Sequence, residues 1–361
     1  MAESLINFRG SLLAQLVEDG HEVIACAPDA DLKTKNRLCS LGVKYFDVPI
    51  SRTGLNPCKD FLSLYKIFRI LKKIKPDIFL GYTAKPVIYG SLAARLAGVK
   101  CIYSMITGLG YAFVSSSWKS KFVGLIIEFL YRISLRTNTK IFFQNPDDCQ
   151  LFQTKGILSH KSVPVIIDGS GVDLKFFNSV PLPEKTSFLL IARLLKDKGI
   201  REYVQAAEII KKKYPDISFK LVGWLDENPS CISQRELSGW INQGTIEYLG
   251  KLTDVRPAIA SSSVYVLPSY REGMPRTVLE AMSMGRPIIT TDVPGCRQSL
   301  IDGENGFLVP VRNVIALANA MEKFIISPEI VSQMGSRSLE IAIQRFDVSK
   351  VNKCIIQAME L

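Results

Sequence analysis

The sequence predicts an α/β protein of two doubly wound domains, each a parallel sheet with helices on both faces, and three observations predict it. Short unbroken apolar runs alternate with amphipathic helical patterns along nearly all of the 361 residues. Strands read as unbroken apolar runs when neither face of their sheet meets water. The chain is longer than one core usually organises, so two domains are expected. The alternation fails once, after Asp168, where GSGVDLKFFNSVPLPEKTS carries Pro and Gly breaks and no period. That places the boundary there, with domains over 1–170 and 171–361 and the C-terminal helix a candidate to cross back to the first.

Residues 3–19, ESLINFRGSLLAQLVED, already read as the turn and first helix that follow a strand. The first strand of the N-terminal domain is therefore expected to be missing, or replaced by another element. Further strands are expected over 21–27, 43–48, 77–81, 99–104, 140–144 and 163–167, with helices notably at 59–73 and 87–97. The second domain repeats the pattern, with strands over 188–191, 218–222, 245–249, 264–267 and 287–291. Its helices are expected over 201–214, 231–242, 253–261 and 275–284, with a terminal set from 313. Neither half carries the G-x-G-x-x-G dinucleotide turn, which disfavours a nicotinamide enzyme.

Apolar residues make up 47% of the chain and charged ones 22%, with no low-complexity tract, so the protein is globular. Eight scattered cysteines, no C-x-x-C pair and only two histidines argue against structural zinc and point to a reducing compartment. The N-terminus MAESLINFRG has no apolar leader core, and no uninterrupted apolar run reaches the length of a membrane span. A formal charge of +11 favours acidic partners: nucleic acid, nucleotide phosphates or an anionic membrane face.

Residues 264–280, VYVLPSYREGMPRTVLE, hold the strongest candidate site. An apolar strand breaks into a turn, and a helix begins at Pro275, a residue suited to the first helical position. Glu272 before the helix and Glu280 inside it bracket an N-terminus whose free N–H groups and dipole favour phosphate. In an open α/β sheet, ligands sit where a strand's carboxyl end meets such a turn. A second turn, ARLLKDKG after the strand at 188–191, offers Arg193 and Lys198 to neutralise a diphosphate; alone it reads first as a solvated basic turn. A third, YLGKLTD over 248–254, offers backbone groups to a base edge, or is an ordinary strand-to-helix loop. Glu280 can accept hydrogen bonds from vicinal ribose hydroxyls and Glu272 can orient a sugar; alone, Glu280 also reads as a solvent-facing helix residue and Glu272 as only a favourable charge near a helix start.

Set in LPSYREGMPRTVLEAMSMGRPIITTDVPGCRQSLIDGENGFLVP and joined by ARLLKDKG, these residues resemble the C-terminal half of a retaining glycosyltransferase of family 4. The GT-B fold, two Rossmann-like domains facing a cleft, is implied. The resemblance covers residues 185–346 and extends more loosely to the first half through NFRGSLLAQLVEDGHEV, KPVIYGSLAARLAGV and FFQNPDD. The nearest likeness is to bacterial enzymes that add an N-acetylhexosamine to an undecaprenyl-diphosphate-linked sugar. GWLDENPS, over 223–230, is similar to a segment of N-acetylgalactosaminyltransferases of glycan and surface-polysaccharide assembly.

The resemblance implies that Arg193 and Lys198 bind the donor's diphosphate, Glu280 its ribose and Glu272 its sugar, with Gly273 and the backbone N–H of Thr277 beside them. It implies a UDP-sugar donor, probe candidates being UDP-GalNAc and UDP-GlcNAc, a polyprenyl-diphosphate-linked acceptor and a place at the cytoplasmic face of the inner membrane. No metal or other cofactor is expected, on the reading that the chain offers no Asp-x-Asp motif to hold Mg²⁺. Many members carry a histidine in the first domain facing the donor sugar. The corresponding loop here, ITGLGYAF over 106–113, has none, and His21 and His160 read as core or surface. A front-face mechanism is implied, in which the departing diphosphate takes the acceptor's proton and Arg193, Lys198 and the helix N-terminus stabilise its charge.

On the acceptor side, Lys85 in GYTAKP and Arg52 in SRTGLNP are candidates to meet the lipid diphosphate, or are surface charges. Residues 118–137, WKSKFVGLIIEFLYRISLRT, place Phe122, Leu125, Ile126, Phe129, Leu130 and Ile133 on one helical face flanked by Lys119, Lys121, Arg132 and Arg136. Such a face fits a membrane interface or the protein core. Two other functions stay open: a GT-B sugar-nucleotide epimerase or phosphorylase, and a non-catalytic basic nucleotide- or nucleic-acid-binding protein. Against the first stand the absence of suitable histidines and of a pyridoxal-phosphate lysine motif. Against nucleic acid stand dispersed basic residues without interleaved aromatics.

Overall fold

The computed structural model describes residues 2–50, 57–109, 118–226, 228 and 230–361, and of residues 118–121 the backbone alone. In the first half the apolar runs form parallel strands β1 (Ile24–Ala27), β2 (Lys44–Asp47), β3 (Ile78–Tyr82), β4 (Cys101–Ile106), β5 (Lys140–Phe143) and β6 (Pro164–Ile166). Around them lie α1 (Glu3–Glu18), α2 (Leu32–Ser40), α3 (Pro57–Ile74), α4 (Ser91–Ala97), α5 (Trp118–Leu135) and α6 (Pro146–Thr154). In the second half the strands are β7 (Ser187–Ile191), β8 (Ser218–Val222), β9 (Glu247–Tyr248), β10 (Val264–Leu267), β11 (Ile288–Thr291) and β12 (Gly306–Val309). Their helices are α7 (Ile200–Lys213), α8 (Gln234–Asn242), α9 (Arg256–Ala260), α10 (Arg276–Ser283), α11 (Val314–Ile326), α12 (Glu329–Ile341) and α13 (Val348–Met359).

The chain forms two compact units, one running through Ser170 and taking back Val348–Leu361, the other spanning Gly171–Asp347. In the first unit the strands form two sheets, β1-β2 and β3-β4-β5-β6. Among the described residues no strand precedes α1, whose buried face carries Leu5, Leu12 and Leu16. The last helix, α13, belongs here: Val351, Ile355 and Met359 share a core with Leu12, Leu16 and Phe142, and the Tyr103 hydroxyl donates to the Met359 carbonyl at 2.9 Å. A turn of π-helix, Pro86–Gly90, leads into α4, and both pack against α3 and α5. The helical period expected over 87–97 is thus met by two helix types, the first of which places an extra residue in its turn.

The second unit is one six-stranded sheet in the order β12-β11-β10-β7-β8-β9, parallel throughout. Phe188, Leu189, Leu190 and all of β10 are at most 1% exposed, which is why those stretches read as unbroken apolar runs. Strand β12 was not among the expected strands; its four residues sit between the polar GEN and Pro310. From β7 the chain winds outward to β9, and from β10 it winds the other way, so the order reverses between β7 and β10. The carboxyl ends of those two strands are where an open parallel sheet leaves a crevice for a ligand.

Candidate functional site

Three turns meet at that reversal. After β7 the chain passes Arg193, forms a short 3₁₀ turn at Lys196–Lys198, and enters α7 through Gly199. Gly199 has φ +69°, and a Cβ there would lie 2.1 Å from the Pro268 carbonyl oxygen, so only glycine lets this turn press against the one after β10. The Tyr270 N–H donates to the Asp197 carbonyl at 2.8 Å, which ties the two turns together. The turn after β11 closes the third side. The Glu272 N–H donates to the Pro294 carbonyl at 3.1 Å, and at Gly295 (φ +83°) a Cβ would stand 2.3 Å from the Glu272 carbonyl oxygen.

The side chains follow from this backbone. Lys198 Nζ lies 2.5 Å from Glu272 Oε1, each side chain only 16% exposed, and Ser269 Oγ is 2.7 Å from the same oxygen. Burial alone pulls the Lys198 ammonium pKa down; the Glu272 carboxylate outweighs it and raises the pKa above its ordinary value, so the group stays charged. Arg193 Nη1 donates to Asp226 Oδ2 at 3.1 Å across the end of β8. At α10, Glu280 is buried and its Oε1 lies 2.9 Å from Arg276 Nε. Desolvation pushes the Glu280 carboxyl up to about 7 despite the arginine. The burial itself, at 7% exposure, excludes the solvent-facing reading of Glu280.

Pro275 is the N-cap of α10 rather than its first helical residue: its ψ of 104° is extended, and its carbonyl accepts from Val278 N at 3.0 Å. The preference for Pro near a helix start rests on its missing N–H and fixed φ, and both suit either position. Beyond it the first turn of α10 is fixed by Tyr265, whose hydroxyl contacts Thr277 Oγ1 at 2.6 Å and the Ile191 carbonyl at 3.1 Å. One buried phenol therefore sets the helix mouth against the end of β7. Gly273 is buried in the same turn.

Arg193, Lys198, Glu272, Gly273, Thr277 and Glu280 are thus carried by the turns at one sheet edge and by the helix that starts there. The loop at 248–254 joins them through the Gly223 N–H, which donates to the Gly250 carbonyl at 2.9 Å. Lys251 Nζ stands 5.2 Å from the centre of the Trp224 ring. Sequence reasoning missed Tyr265, Trp224 and Asp226 as site residues. The criterion that found Arg193, a polar residue just past a strand's carboxyl end, applies equally to Asp226.

The first unit holds the remaining candidates. Lys85 is not a plain surface charge: its Nζ lies 2.7 Å from Asp60 Oδ1, with Asp60 buried and the Tyr89 hydroxyl donating to Asp60 Oδ2 at 3.1 Å. Arg52 lies outside the described residues, as do positions 110–113 of the 106–113 loop and the side chains of Lys119 and Lys121. His21 and His160 are both exposed. The chain does contain an Asp-x-Asp sequence at 29–31, but the Asp31 carboxylate caps α2 by accepting from Thr34 N at 2.8 Å. Among the described residues no group of three or more His, Cys, Asp or Glu is placed to hold a metal ion. On α5 the core takes Tyr131 and Leu135, whereas Phe122, Leu125, Ile126 and Phe129 are exposed. Arg132 is tied down, donating to the Lys155 and Gly156 carbonyls at 2.9 Å each.

Comparison with known proteins places both halves in one enzyme class. Residues 185–326 match the family model described as glycosyl transferases group 1, and residues 8–145 match that described as glycosyl transferase 4-like. The chain is 27% identical over 355 residues to the N,N'-diacetylbacillosaminyl-diphospho-undecaprenol alpha-1,3-N-acetylgalactosaminyltransferase of Campylobacter jejuni, covering 94% of this chain and 92% of the relative. It is 28% identical to the UDP-Gal:alpha-D-GlcNAc-diphosphoundecaprenol alpha-1,3-galactosyltransferase of Escherichia coli, covering 85% and 81%. Among solved structures, sucrose-phosphate synthase of Thermosynechococcus elongatus superposes with a TM-score of 0.79 at 18% identity, covering 97% of this chain and 91% of that one. Anabaena HepE in complex with UDP-glucose superposes with a TM-score of 0.75 at 18% identity, covering 97% and 94%. Both likenesses establish the GT-B fold.

Proposed function

With both halves matched, the chain belongs to the group 1, GT4-like glycosyltransferases, and we propose that it moves a hexosamine, GalNAc or GlcNAc, from a UDP-sugar to an undecaprenyl-diphosphate-linked sugar with retention at the anomeric carbon. The observation that carries the donor half is the convergence of Arg193, Lys198, Glu272, Glu280 and the α10 N-terminus on the edge where the sheet reverses. Two cations and a helix mouth suit a diphosphate, and a buried carboxylate about one turn into that helix suits vicinal hydroxyls. The acceptor half rests on relatives whose names specify undecaprenol-diphosphate sugars.

In this reading Arg193, Lys198 and the N–H groups at Gly273 and Thr277 hold the diphosphate, Glu280 accepts from the ribose, and Glu272 accepts from the sugar. The bond from the anomeric carbon to the β-phosphate oxygen breaks, and the acceptor oxygen bonds to that carbon on the same face. The acceptor's hydroxyl proton passes to the departing phosphate oxygen. The two cations and the helix dipole stabilise the charge that develops there, so no metal is required. Lys85 and Arg52 are proposed for the acceptor's diphosphate, Lys85 by exchanging Asp60 for it.

The first unit also supplies a reason to work at a lipid surface. Besides the four exposed apolar residues of α5, α3 exposes Phe61, Leu62 and Tyr65 beside Lys66, Arg69, Lys72 and Lys73. No helix among the described residues is long and apolar enough to cross a membrane. An aromatic and aliphatic face with basic flanks suits peripheral docking on an anionic leaflet, here proposed as the cytoplasmic face of the inner membrane.

The test is turnover of UDP-GalNAc and UDP-GlcNAc, with UDP-glucose and GDP-mannose as controls, on a lipid-diphosphate sugar in the presence of EDTA. An α-linked product is expected, and Glu272→Ala or Lys198→Ala should lower turnover at least a hundredfold with the fold intact. A β-linked product, strict metal dependence or near-normal rates in those variants overturns the reading.

A further inference from the structure

Each of the two cations at the sheet reversal is paired with a carboxylate, and the two carboxylates are not equivalent. Glu272, the partner of Lys198, already has a place beside the transferred sugar in the reading above. Asp226, the partner of Arg193, has none: nothing in the chemistry of transfer calls for a third carboxylate next to a bound diphosphate. It is nonetheless built in with care. Asp226 Oδ1 accepts from Asn228 N at 3.1 Å, and its own N–H points at Cys231 Sγ at 3.1 Å. The Cys231 thiol in turn donates to the Leu194 carbonyl at 3.1 Å, and Ile232 N donates to the same carbonyl at 2.8 Å. Leu194 N donates to the Trp224 carbonyl at 3.1 Å. The loop after β8 is therefore laced to the turn that carries Arg193, and the lacing aims one carboxylate oxygen at the guanidinium. The Asp226 side chain is 15% exposed and that of Arg193 34%, so the pair is only partly screened by water.

We propose that Asp226 is a release residue: it competes with the nucleotide diphosphate for Arg193 and thereby limits how tightly the enzyme holds its nucleotide product. This rests on the nucleotide reading of the site. A guanidinium offers several N–H donors in one plane, so Arg193 can bridge Asp226 and a phosphate, but the two anions then repel each other across it. Binding is strong enough to seat the donor and weak enough to let the spent nucleotide leave. In a transferase whose product keeps every phosphate of the donor, the same contacts that hold the substrate hold the product. A fixed negative charge behind the arginine weakens both.

The experiment measures UDP binding by titration calorimetry for the full chain and for Asp226→Asn, Asp226→Ser and Asp226→Glu. Asparagine keeps the shape and one acceptor oxygen while removing the charge; serine removes the charge in a smaller side chain and stands in should the first variant fold poorly. Both are expected to bind UDP about three- to tenfold more tightly than the wild type, the range set by one partly exposed ion pair. Asp226→Glu, which restores the charge, is expected to return toward wild-type affinity. The gain should vanish when Arg193→Ala is added, because the competition runs through that guanidinium. Donor KM should fall with the affinity, and UDP should become a stronger product inhibitor, changes that a loosened loop would not produce. Unchanged or weaker UDP binding in the neutral variants overturns the inference alone. Absence of UDP binding to the wild type overturns the nucleotide reading and the inference with it.

Discussion

Burial beside a single arginine leaves the Glu280 carboxyl pushed up to about 7, above its ordinary 4.5, and this has a measurable consequence for stability. Between pH 4.5 and 7 the folded protein keeps a proton on Glu280 that the unfolded chain has released. Its contribution is fully present below the lower value and is lost as pH rises through the upper one, amounting to something on the order of 3 kcal/mol. The stability difference between Glu280→Gln and the wild type, from urea unfolding at pH 5 and pH 8, should therefore move by that order in favour of the variant as pH rises. A pH-independent difference would mean that Glu280 is ionised throughout. Ribose hydroxyls that donate to Glu280 favour its ionised form, so UDP binding should also weaken on acidification more in the wild type than in Glu280→Gln. At this scale the places of Arg193, Lys198, Glu272 and Glu280 at one sheet edge are legible in the sequence, because each follows a strand or sits in a helix whose start is marked. Tyr265 carries no such mark, and Asp226 carries only its place just past β8; what singles them out is a partner 12 and 33 residues away, fixed by how turns fold together.

The elements that matter most to the site are β7, β10 and α10; β7 and β10 pair directly, and one side chain reaches all three. Tyr265 is 1% exposed on β10, and its hydroxyl reaches both the first turn of α10 and the end of β7. Tyr265→Phe leaves the Ile191 carbonyl and the Thr277 hydroxyl without that partner in a dry place, a loss of about 1–3 kcal/mol. The helix mouth is then free to shift relative to the Arg193 turn, so donor KM should rise several-fold while kcat changes less. Equal affinity for UDP in wild type and variant would show that the phenol only fills space. Strands and helices themselves are largely legible, since a strand buried on both faces and a helix buried on one leave different periods. What escapes is decided by neighbours. Strand β12 is no shorter than β10 or β11 but is flanked by the polar GEN and Pro310, the Pro86–Gly90 turn widens to a π-helix within a helical pattern, and α5 turns Phe122, Leu125, Ile126 and Phe129 outward while Leu130 of the same stripe packs against the core. On α5 the core face is the one bearing Tyr131 and Leu135, and a period of apolar residues does not say which of two faces the core will take.

For the whole molecule, a formal charge of +11 does not by itself select a partner, because nucleic acid, nucleotide and anionic lipid all respond to it. The distribution of charge and apolar surface on the first unit narrows the choice. Its helices α3 and α5 expose Phe61, Leu62, Tyr65, Phe122, Leu125, Ile126 and Phe129, while the one acidic residue of α3, Asp60, is buried against Lys85. Nucleic acid has no use for exposed Leu and Ile side chains, whereas an anionic bilayer meets both the charge and the apolar groups. Vesicles of anionic phospholipid should therefore bind the protein, and neutral vesicles should bind it much more weakly. Replacing Phe61, Phe122 and Leu125 together by Ser should lower partition onto anionic vesicles at least tenfold, since each fully buried side chain of this size is worth about 1.5–3 kcal/mol and these insert partly. Because all three are exposed, thermal stability should hold within about 0.5 kcal/mol, and transfer to a water-soluble acceptor analogue should persist. Partition that follows salt alone and ignores the three substitutions would leave only the charge at work and reduce the exposed stripes to ordinary surface.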